Sequence, residues 1–298
     1  MARRFSLLCA CLPLFAAVTL GAGCGKKEAD TEVDLPRKRT VTSATTTPVA
    51  VSRGDPLKAA LDGVIRGRVV LQGERPALAI IKPMLTHNDH VGCLEGSEVE
   101  KVDQTWILGP DNGVANVVIF LKAPAGKYFP VKDSDKVRKD TVMIDQPHCA
   151  FMPHVAAAFP SYWDGKELQP TGEQFVVKNS APFNHNTGWT GSKTGTGNVN
   201  LKSNSEQTIN LVPDSSPVLL RCDIHPWMNA RVWAFDHPYF AVTKSDGNFE
   251  IKDVPTGVEV GLVAWHEALS FFNGGKDGTK QKFNPGENKL PDFKISAK

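Results

Sequence analysis

The 298-residue sequence lacks an excess of charge of either sign, because 34 Lys and Arg are offset by 32 Asp and Glu to leave a net charge of +2. It has no basic run of the kind that follows a phosphate backbone, which argues against a nucleic-acid partner. No segment shows a convincing helical period, and nothing repeats at a fixed interval. No Ser-His-Asp or paired-carboxylate arrangement can be singled out from spacing, so the sequence offers no candidate hydrolytic site.

Long apolar runs are also missing, except near the N-terminus. Phe5–Leu20 is apolar, follows two arginines and is shorter than a comfortable membrane span of about 20 residues. The small residues that precede Cys24 resemble the cleavage site of a bacterial lipoprotein. Residues 1–24 are therefore predicted to be a signal peptide with lipidation at Cys24, and ordinary signal cleavage is the alternative. The mature protein is expected in the periplasm or at the cell surface, with a lipid anchor as its only membrane contact.

Ligands for a soft metal are concentrated in one seven-residue stretch. Cys222, His225 and Met228 stand three apart and supply a thiolate, an imidazole and a thioether. Such ligands select copper over harder divalent metals, and a blue-copper site combines two His and one Cys with a weak axial Met. The second histidine must come from elsewhere in the chain, and His185 is the candidate.

The stretch resembles the copper-binding loop of the cupredoxins of the plastocyanin and amicyanin type. Residues 175–186 resemble the strand and loop that carry the first histidine of that family. The resemblance implies a Greek-key β-sandwich with one type 1 copper ion, and its ligands would be His185, Cys222, His225 and Met228. The alternative is a cupredoxin fold whose site stays empty.

The resemblance also implies roles for residues around the ligands. Pro226 and Trp227 would form a rigid apolar rim on which a redox protein docks transiently, with electron exchange through an exposed edge of His225. Asn186, or else Asn184, would tie the two ligand loops together through hydrogen bonds. The alternative for both asparagines is that they satisfy a tight turn.

The remaining cysteines can be assigned once these roles are given. Of the six, Cys9 and Cys11 lie in the part that signal cleavage would remove, Cys24 would carry the lipid and Cys222 would bind copper. Cys93 and Cys149 remain, in a compartment where disulfides persist, so they are predicted to form one.

The rest of the chain has the sequence features of β-strands, for example in Val64–Leu71 and in the segment that follows the Asp246-Gly247 turn. Together these outer portions resemble a carboxypeptidase-regulatory, transthyretin-like β-sandwich. The predicted fold class is all-β, and the predicted divisions are a disordered tether at 25–60, the transthyretin-like sandwich at 61–130 with 239–298, and the inserted cupredoxin at 131–238. Alternatively, 61–130 adds strands to the cupredoxin and only 239–298 forms a partial second unit.

Other polar segments are given simpler interpretations. The Gly-, Ser- and Thr-rich residues 187–206 are expected to form a mobile surface loop. His148 and His154 do not have the spacing of a common zinc motif, so structural roles are preferred. His87 and His90 are expected in a solvated loop.

The predicted function is one-electron transfer without catalysis. The sequence has no His-x-His, and Arg221 and Asp223 flank Cys222 where catalytic copper proteins of related fold carry a further histidine. An exported copper electron carrier is therefore the leading hypothesis. The alternative is a cell-surface binding module with structural copper or none. Copper storage is a third hypothesis, which the five methionines disfavour.

Overall fold

A computed structural model describes residues 54–297 of the chain. The predicted signal peptide, the lipidation site at Cys24 and most of the predicted tether lie outside the described residues. Residues 54–60 of that tether are described, and there Asp55–Pro56 pair in parallel with Lys127–Tyr128.

The described residues form an all-β structure, as predicted. The strands are β1 (Asp55–Pro56), β2 (Ala60–Leu71), β3 (Val118–Lys122), β4 (Lys127–Tyr128), β5 (Thr141–Asp145), β6 (Val155–Ala158), β7 (Ser161–Trp163), β8 (Leu168–Pro170), β9 (Gln174–Asn179), β10 (His185–Gly191), β11 (Gly195–Leu201), β12 (Ser205–Thr208), β13 (Val218–Arg221), β14 (Asn229–Ala234), β15 (Phe240–Val242), β16 (Asn248–Thr256), β17 (Glu259–His266), β18 (Ser270–Phe271), β19 (Thr279–Lys282), β20 (Gly286–Lys289) and β21 (Phe293–Ile295).

Helical structure is confined to short segments within residues 54–297. One α-helix, α1, spans His90–Leu94, and single turns of 3₁₀-helix occupy Lys82–Thr86, Glu98–Lys101, Gln104–Trp106, Pro110–Asn112, Asp133–Asp135 and Gly275–Asp277. In this part of the chain, no helix has the length and apolar character that crossing a membrane requires.

Two sheets enclose the first hydrophobic core. The larger has the strand order β11-β10-β13-β14-β6, and the smaller has the order β12-β9-β5. Leu220 and Val232 of the larger sheet share this core with Ile144 and Val177 of the smaller one. Met84 and Cys93, which are far earlier in the chain, pack in the same core. The segment around them is thereby held against the end of the sandwich that carries the candidate metal ligands.

Two further sheets enclose a second core. One contains β15, β3, β17, β18 and β19, and the other contains β16, β2, β20 and β21. Ile65 and Val69 of β2 face Leu121 of β3 and Leu262 of β17 across this core. β2 pairs antiparallel with β16, from Ala60 opposite Thr256 to Arg68 opposite Asn248, with shifts of register on either side of Val254. The family resemblance and the domain boundaries proposed for this part stay predictions.

The strand β3 is apolar without alternation because both its faces are covered. Ile119 and Leu121 point into the second core, whereas Val118 and Phe120 pack in a third cluster with Trp233 of β14. Successive side chains of a strand point to opposite faces, so a continuous apolar run indicates a strand buried on both sides.

The prediction of a mobile surface loop at residues 187–206 is wrong. Strands β10 and β11 pair antiparallel over their whole length, from His185 opposite Leu201 to Gly191 opposite Gly195. Gly197 lies opposite Trp189, and a Cβ atom on Gly197 would stand 2.0 Å from the indole ring. The small residues therefore leave room for a bulky partner across the hairpin, which composition alone does not reveal.

Candidate metal centre

The topology of the larger sheet brings the candidate ligands together from distant positions. His185 begins β10, and Cys222 follows the last residue of β13, to which β10 is paired antiparallel. The start of one strand therefore lies beside the end of the other. Val218 and Leu220 of β13 are buried, and Cys222 continues that inward alternation. His225 and Met228 lie on the loop between β13 and β14.

Three donor atoms converge on one buried point. The Sγ atom of Cys222 lies 3.9 Å from Nδ1 of His185 and 3.9 Å from Nδ1 of His225, and the two Nδ1 atoms are 3.1 Å apart. Both histidines are 0% exposed and Cys222 is 2% exposed. These separations allow one ion to lie about 2.0–2.3 Å from every atom, the usual range for His and Cys ligands. The donor set therefore fits a single metal ion.

The loop that carries three of the four candidates is held by its own backbone. The N–H of Met228 donates to the carbonyl of His225 at 2.9 Å, and the N–H of Cys222 donates to the carbonyl of Met228 at 3.2 Å. The N–H of His225 also points at the Cys222 sulfur, at 3.4 Å. Met228 is 2% exposed, so its side chain is buried under the loop.

Asn186 connects the two ligand-bearing segments. Its Oδ1 atom accepts a hydrogen bond from the N–H of Asp223 at 2.7 Å, and its amide group donates to Asn198. Asn186 is 4% exposed, whereas Asn184 is exposed to solvent. The structure therefore places the tie between His185 and Cys222 at Asn186.

The buried environment prepares the donors for a metal. Burial, with a further contribution from neighbouring His225, lowers the pKa of His185 from 6.5 to about 4. Burial also lowers the pKa of His225, and the nearby His87 adds to the effect. Burial raises the pKa of the Cys222 thiol. Both imidazoles are accordingly neutral at pH 7 with a lone pair free, and a bound metal must displace the thiol proton.

The prediction that an edge of the His225 ring is exposed is wrong. The Nε2 atom of His225, on the far side of the ring from Cys222, lies 3.1 Å from Oδ2 of Asp89. The rings of His87, Phe183 and Trp227 surround the imidazole at centroid distances of 4.6, 5.9 and 5.3 Å. The segment that precedes and begins α1 thus covers the edge of the His225 ring that the sequence of the ligand loop predicted to be exposed.

His87 and Asp89 are the site residues that sequence reasoning missed. His87 was expected in a solvated loop, but it packs on His225 and meets Trp227 edge-on at 5.3 Å. His90 is exposed, in agreement with the prediction of a solvated loop. His87 and Asp89 stand nearly a hundred positions before His185, still further before the other ligands, and carry no motif. The only sequence signal for their role was their closeness to Cys93, which was already predicted to form a disulfide with Cys149.

The predicted disulfide partners are joined in the structure. Cys93 and Cys149 form a disulfide with their Cα atoms 4.9 Å apart. Both sulfur atoms lie within 4.8 Å of a ring nitrogen of His225. The Nε1 atom of Trp227 donates to the carbonyl of Cys149 at 3.0 Å, so the disulfide supports the loop as well as α1.

The proposed docking residues differ in exposure. Pro226 is exposed, whereas Trp227 is half-buried with its indole N–H engaged. Ile224, in the same loop, is 37% exposed. The surface of the loop therefore presents Pro226 and Ile224, and Trp227 contributes less to it.

The side chains of His148 and His154 have carboxylate partners. His148 contacts Glu100 at 2.8 Å, and His154 contacts Glu267. Within residues 54–297, neither His148 nor His154 belongs to a group of three potential metal ligands. Their contacts with carboxylates are those of paired side chains in a protein interior.

Comparison with known proteins gives structural similarity only. No family model matches the sequence, and no curated protein matches it. Amicyanin from Paracoccus versutus is similar at 16% identity, over 35% of this chain and 90% of its own, with a TM-score of 0.25. An oxidised mutant of amicyanin is similar at 13% identity, over 39% of this chain and 91% of its own, with a TM-score of 0.25. A purple cupredoxin from Nitrosopumilus maritimus is similar at 11% identity, over 32% of this chain and 98% of its own, with a TM-score of 0.23.

Proposed function

We propose that the protein is a cupredoxin-type copper protein that carries single electrons between protein partners. The observation that carries this proposal is the convergence of Nδ1 of His185, Sγ of Cys222 and Nδ1 of His225 in a buried pocket, on a loop whose Met228 is also buried. Two imidazoles, a thiolate and a thioether form the ligand set of a type 1 copper site, in which the thioether is the weak axial ligand.

The residues around the pocket support electron transfer better than catalysis. Copper supplies one-electron exchange between its two oxidation states. The chain holds the donors in place through the tie of Asn186 to Asp223 and the backbone bonds of the loop. Exclusion of water by buried His185 and Cys222 removes the open position that substrate binding at a metal requires. A site that is already arranged and closed requires little rearrangement when its charge changes.

Export and a lipid anchor complete the proposal. A periplasmic or cell-surface location is supported by the predicted signal peptide and by the disulfide between Cys93 and Cys149, since disulfides persist outside the reducing cytosol. Lipidation at Cys24 would hold the protein at a membrane, where it would exchange electrons with a redox protein. Replacing Cys24 with Ala should move the protein from the membrane fraction to the soluble fraction.

The decisive experiment is an absorption spectrum of the purified protein during titration with Cu(II). One equivalent should produce an intense visible thiolate-to-copper band, which Cys222→Ser abolishes and His225→Gln abolishes or displaces. The matched control is His90→Gln, because His90 is an exposed histidine outside the pocket. A copper-loaded protein without the band, or one that does not cycle with a mild oxidant and reductant, would favour a binding module with structural metal instead.

A further inference from the structure

The imidazole of His225 is held from both sides. Its Nδ1 atom faces the donor pocket, 3.9 Å from the Cys222 sulfur, and its Nε2 atom lies 3.1 Å from Oδ2 of Asp89. A carboxylate at Nε2 requires that nitrogen to carry the proton, which leaves the Nδ1 lone pair for a metal. A histidine ligand is commonly oriented in this way by a hydrogen bond from its other nitrogen.

We propose that Asp89 is a positioning residue of the copper centre, one that orients His225 and lowers the reduction potential of the bound ion. This inference rests on the proposed function. A carboxylate that accepts the Nε2–H increases the electron donation of the imidazole through Nδ1. Negative charge near the centre also favours the more highly charged oxidation state. Both effects favour Cu(II) over Cu(I).

The carboxylate is placed by a rigidly attached segment. The carbonyl of Asp89 accepts the N–H of Cys93 at 2.9 Å, and Cys93 is bonded to Cys149. On the other side, Gly92 packs so tightly on Phe183 that a Cβ atom there would stand 2.4 Å from the ring. Phe183 is two residues before His185. The segment is thus fixed both to the disulfide and to the residues just before β10, the strand that begins with the first ligand.

A second metal ion is the competing interpretation of the same atoms. His87, Asp89 and His225 each offer one ligand atom within 4.8 Å of the others. However, Nδ1 of His87 accepts the N–H of Asp89 at 3.2 Å, so its lone pair is already used. His225 would in addition have to bind two ions through one deprotonated ring. The trio is therefore better described as a hydrogen-bonded cover over His225 than as a ligand set.

The cover also determines what a partner can touch. His225 is 0% exposed, whereas the side chains of His87 and Asp89 are 24% and 34% exposed. A docked protein therefore reaches the imidazole of His225 through these two residues, which lie between it and solvent.

The test replaces Asp89 with Asn, which keeps the shape and removes the charge. The reduction potential of the copper-loaded full chain is measured by spectroelectrochemistry. We expect a rise that changes the Cu(II)/Cu(I) ratio at fixed ambient potential by about threefold to tenfold, or about 30–60 mV at 59 mV per tenfold for one electron. The matched control is Glu98→Gln, since Glu98 is exposed four residues after the end of α1 and pairs with Lys101. It removes the same charge without touching His225 and should leave the potential unchanged. Equal potentials in the Asp89→Asn variant and the wild type would overturn the proposal.

A second measurement separates positioning from simple charge. In the Zn(II)-loaded full chain, ¹⁵N spectra should show His225 protonated at Nε2, with a resonance that moves on Asp89→Ala and is recovered largely by Asp89→Glu. One zinc per chain is expected by mass spectrometry, and a second zinc that disappears in Asp89→Asn would make Asp89 a ligand and overturn the proposal. If copper produces no visible band, the proposed function fails instead, while the zinc spectra still report on the contact between Asp89 and His225.

Discussion

The indole Nε1 of Trp227 donates a hydrogen bond to the carbonyl of Cys149 at 3.0 Å, which joins the ligand loop directly to the disulfide. The same disulfide anchors α1 through Cys93, and α1 follows the residues that cover His225. One covalent link therefore supports both walls of the candidate metal centre.

Removal of this link should destabilise the metal-free protein. Replacement of both Cys93 and Cys149 by Ser should lower the free energy of unfolding by about 2–5 kcal/mol, because the unfolded chain is no longer constrained. Urea denaturation under non-reducing conditions measures the change. Cys222→Ser is the control, since it removes a free cysteine and keeps the disulfide. Equal loss of stability in both variants would contradict the prediction.

Asn186 should matter more than its neighbour in sequence. Asn186→Ala removes the acceptor for the N–H of Asp223 and should cost about 1–3 kcal/mol of stability. It should also weaken metal binding by about 10–100-fold, because the two ligand segments are no longer tied. Thermal denaturation and competitive metal titration measure these effects. Asn184→Ala, at an exposed position, should change neither quantity. If both variants bind metal equally well, the tie is not made by Asn186.

The hairpin of β10 and β11 should tolerate no side chain at Gly197. In Gly197→Ala the new methyl group meets the ring of Trp189, which should destabilise the protein by about 1–3 kcal/mol. The double variant with Trp189→Val should recover part of that loss, because the smaller side chain vacates the space. A double-mutant cycle by chemical denaturation tests this coupling. Strictly additive effects would show that the ring and the methyl group do not compete.

Stability should fall in mild acid, and His266 should be one of the buried histidines that cause the loss. Burial lowers the pKa of His266, which is 0% exposed and whose Nε2 atom donates to the carbonyl of Thr105 at 2.9 Å. The unfolded chain binds a proton at this residue near pH 6.5, whereas the folded chain binds it only at lower pH. Acid therefore favours the unfolded state, and the stabilisation present above pH 6.5 decreases as the pH falls below it.

The pH dependence is measured as the free energy of unfolding between pH 8 and pH 5. His266→Gln, which can still donate to the carbonyl of Thr105, should flatten the curve below pH 6.5. His90→Gln serves as the control, because His90 is exposed on the surface. A curve for His266→Gln that is parallel to the wild type would remove His266 as its cause.

Local sequence was sufficient to predict structure where residues that are neighbours in the chain are also neighbours in space. The spacing of Cys222, His225 and Met228 placed three side chains on one loop, and alternation of apolar residues predicted β2 at Val64–Leu71. These are short-range patterns, because strand geometry and loop length follow from successive residues. The all-β class follows for the same reason, although the division into two domains remains a prediction.

The sequence by itself determined which chemical groups were available and that the chain would form strands. Only the tertiary structure decided that Asp89 and His87 cover His225, and that the glycine-rich hairpin is ordered around Trp189. Both outcomes depend on contacts between side chains that no local pattern encodes. From sequence alone, a polar residue in a short turn is expected to be solvated, and only packing shows that it lies against a buried group. A glycine-rich segment is likewise expected to be a loop, although glycine can also leave room for an aromatic ring on the neighbouring strand.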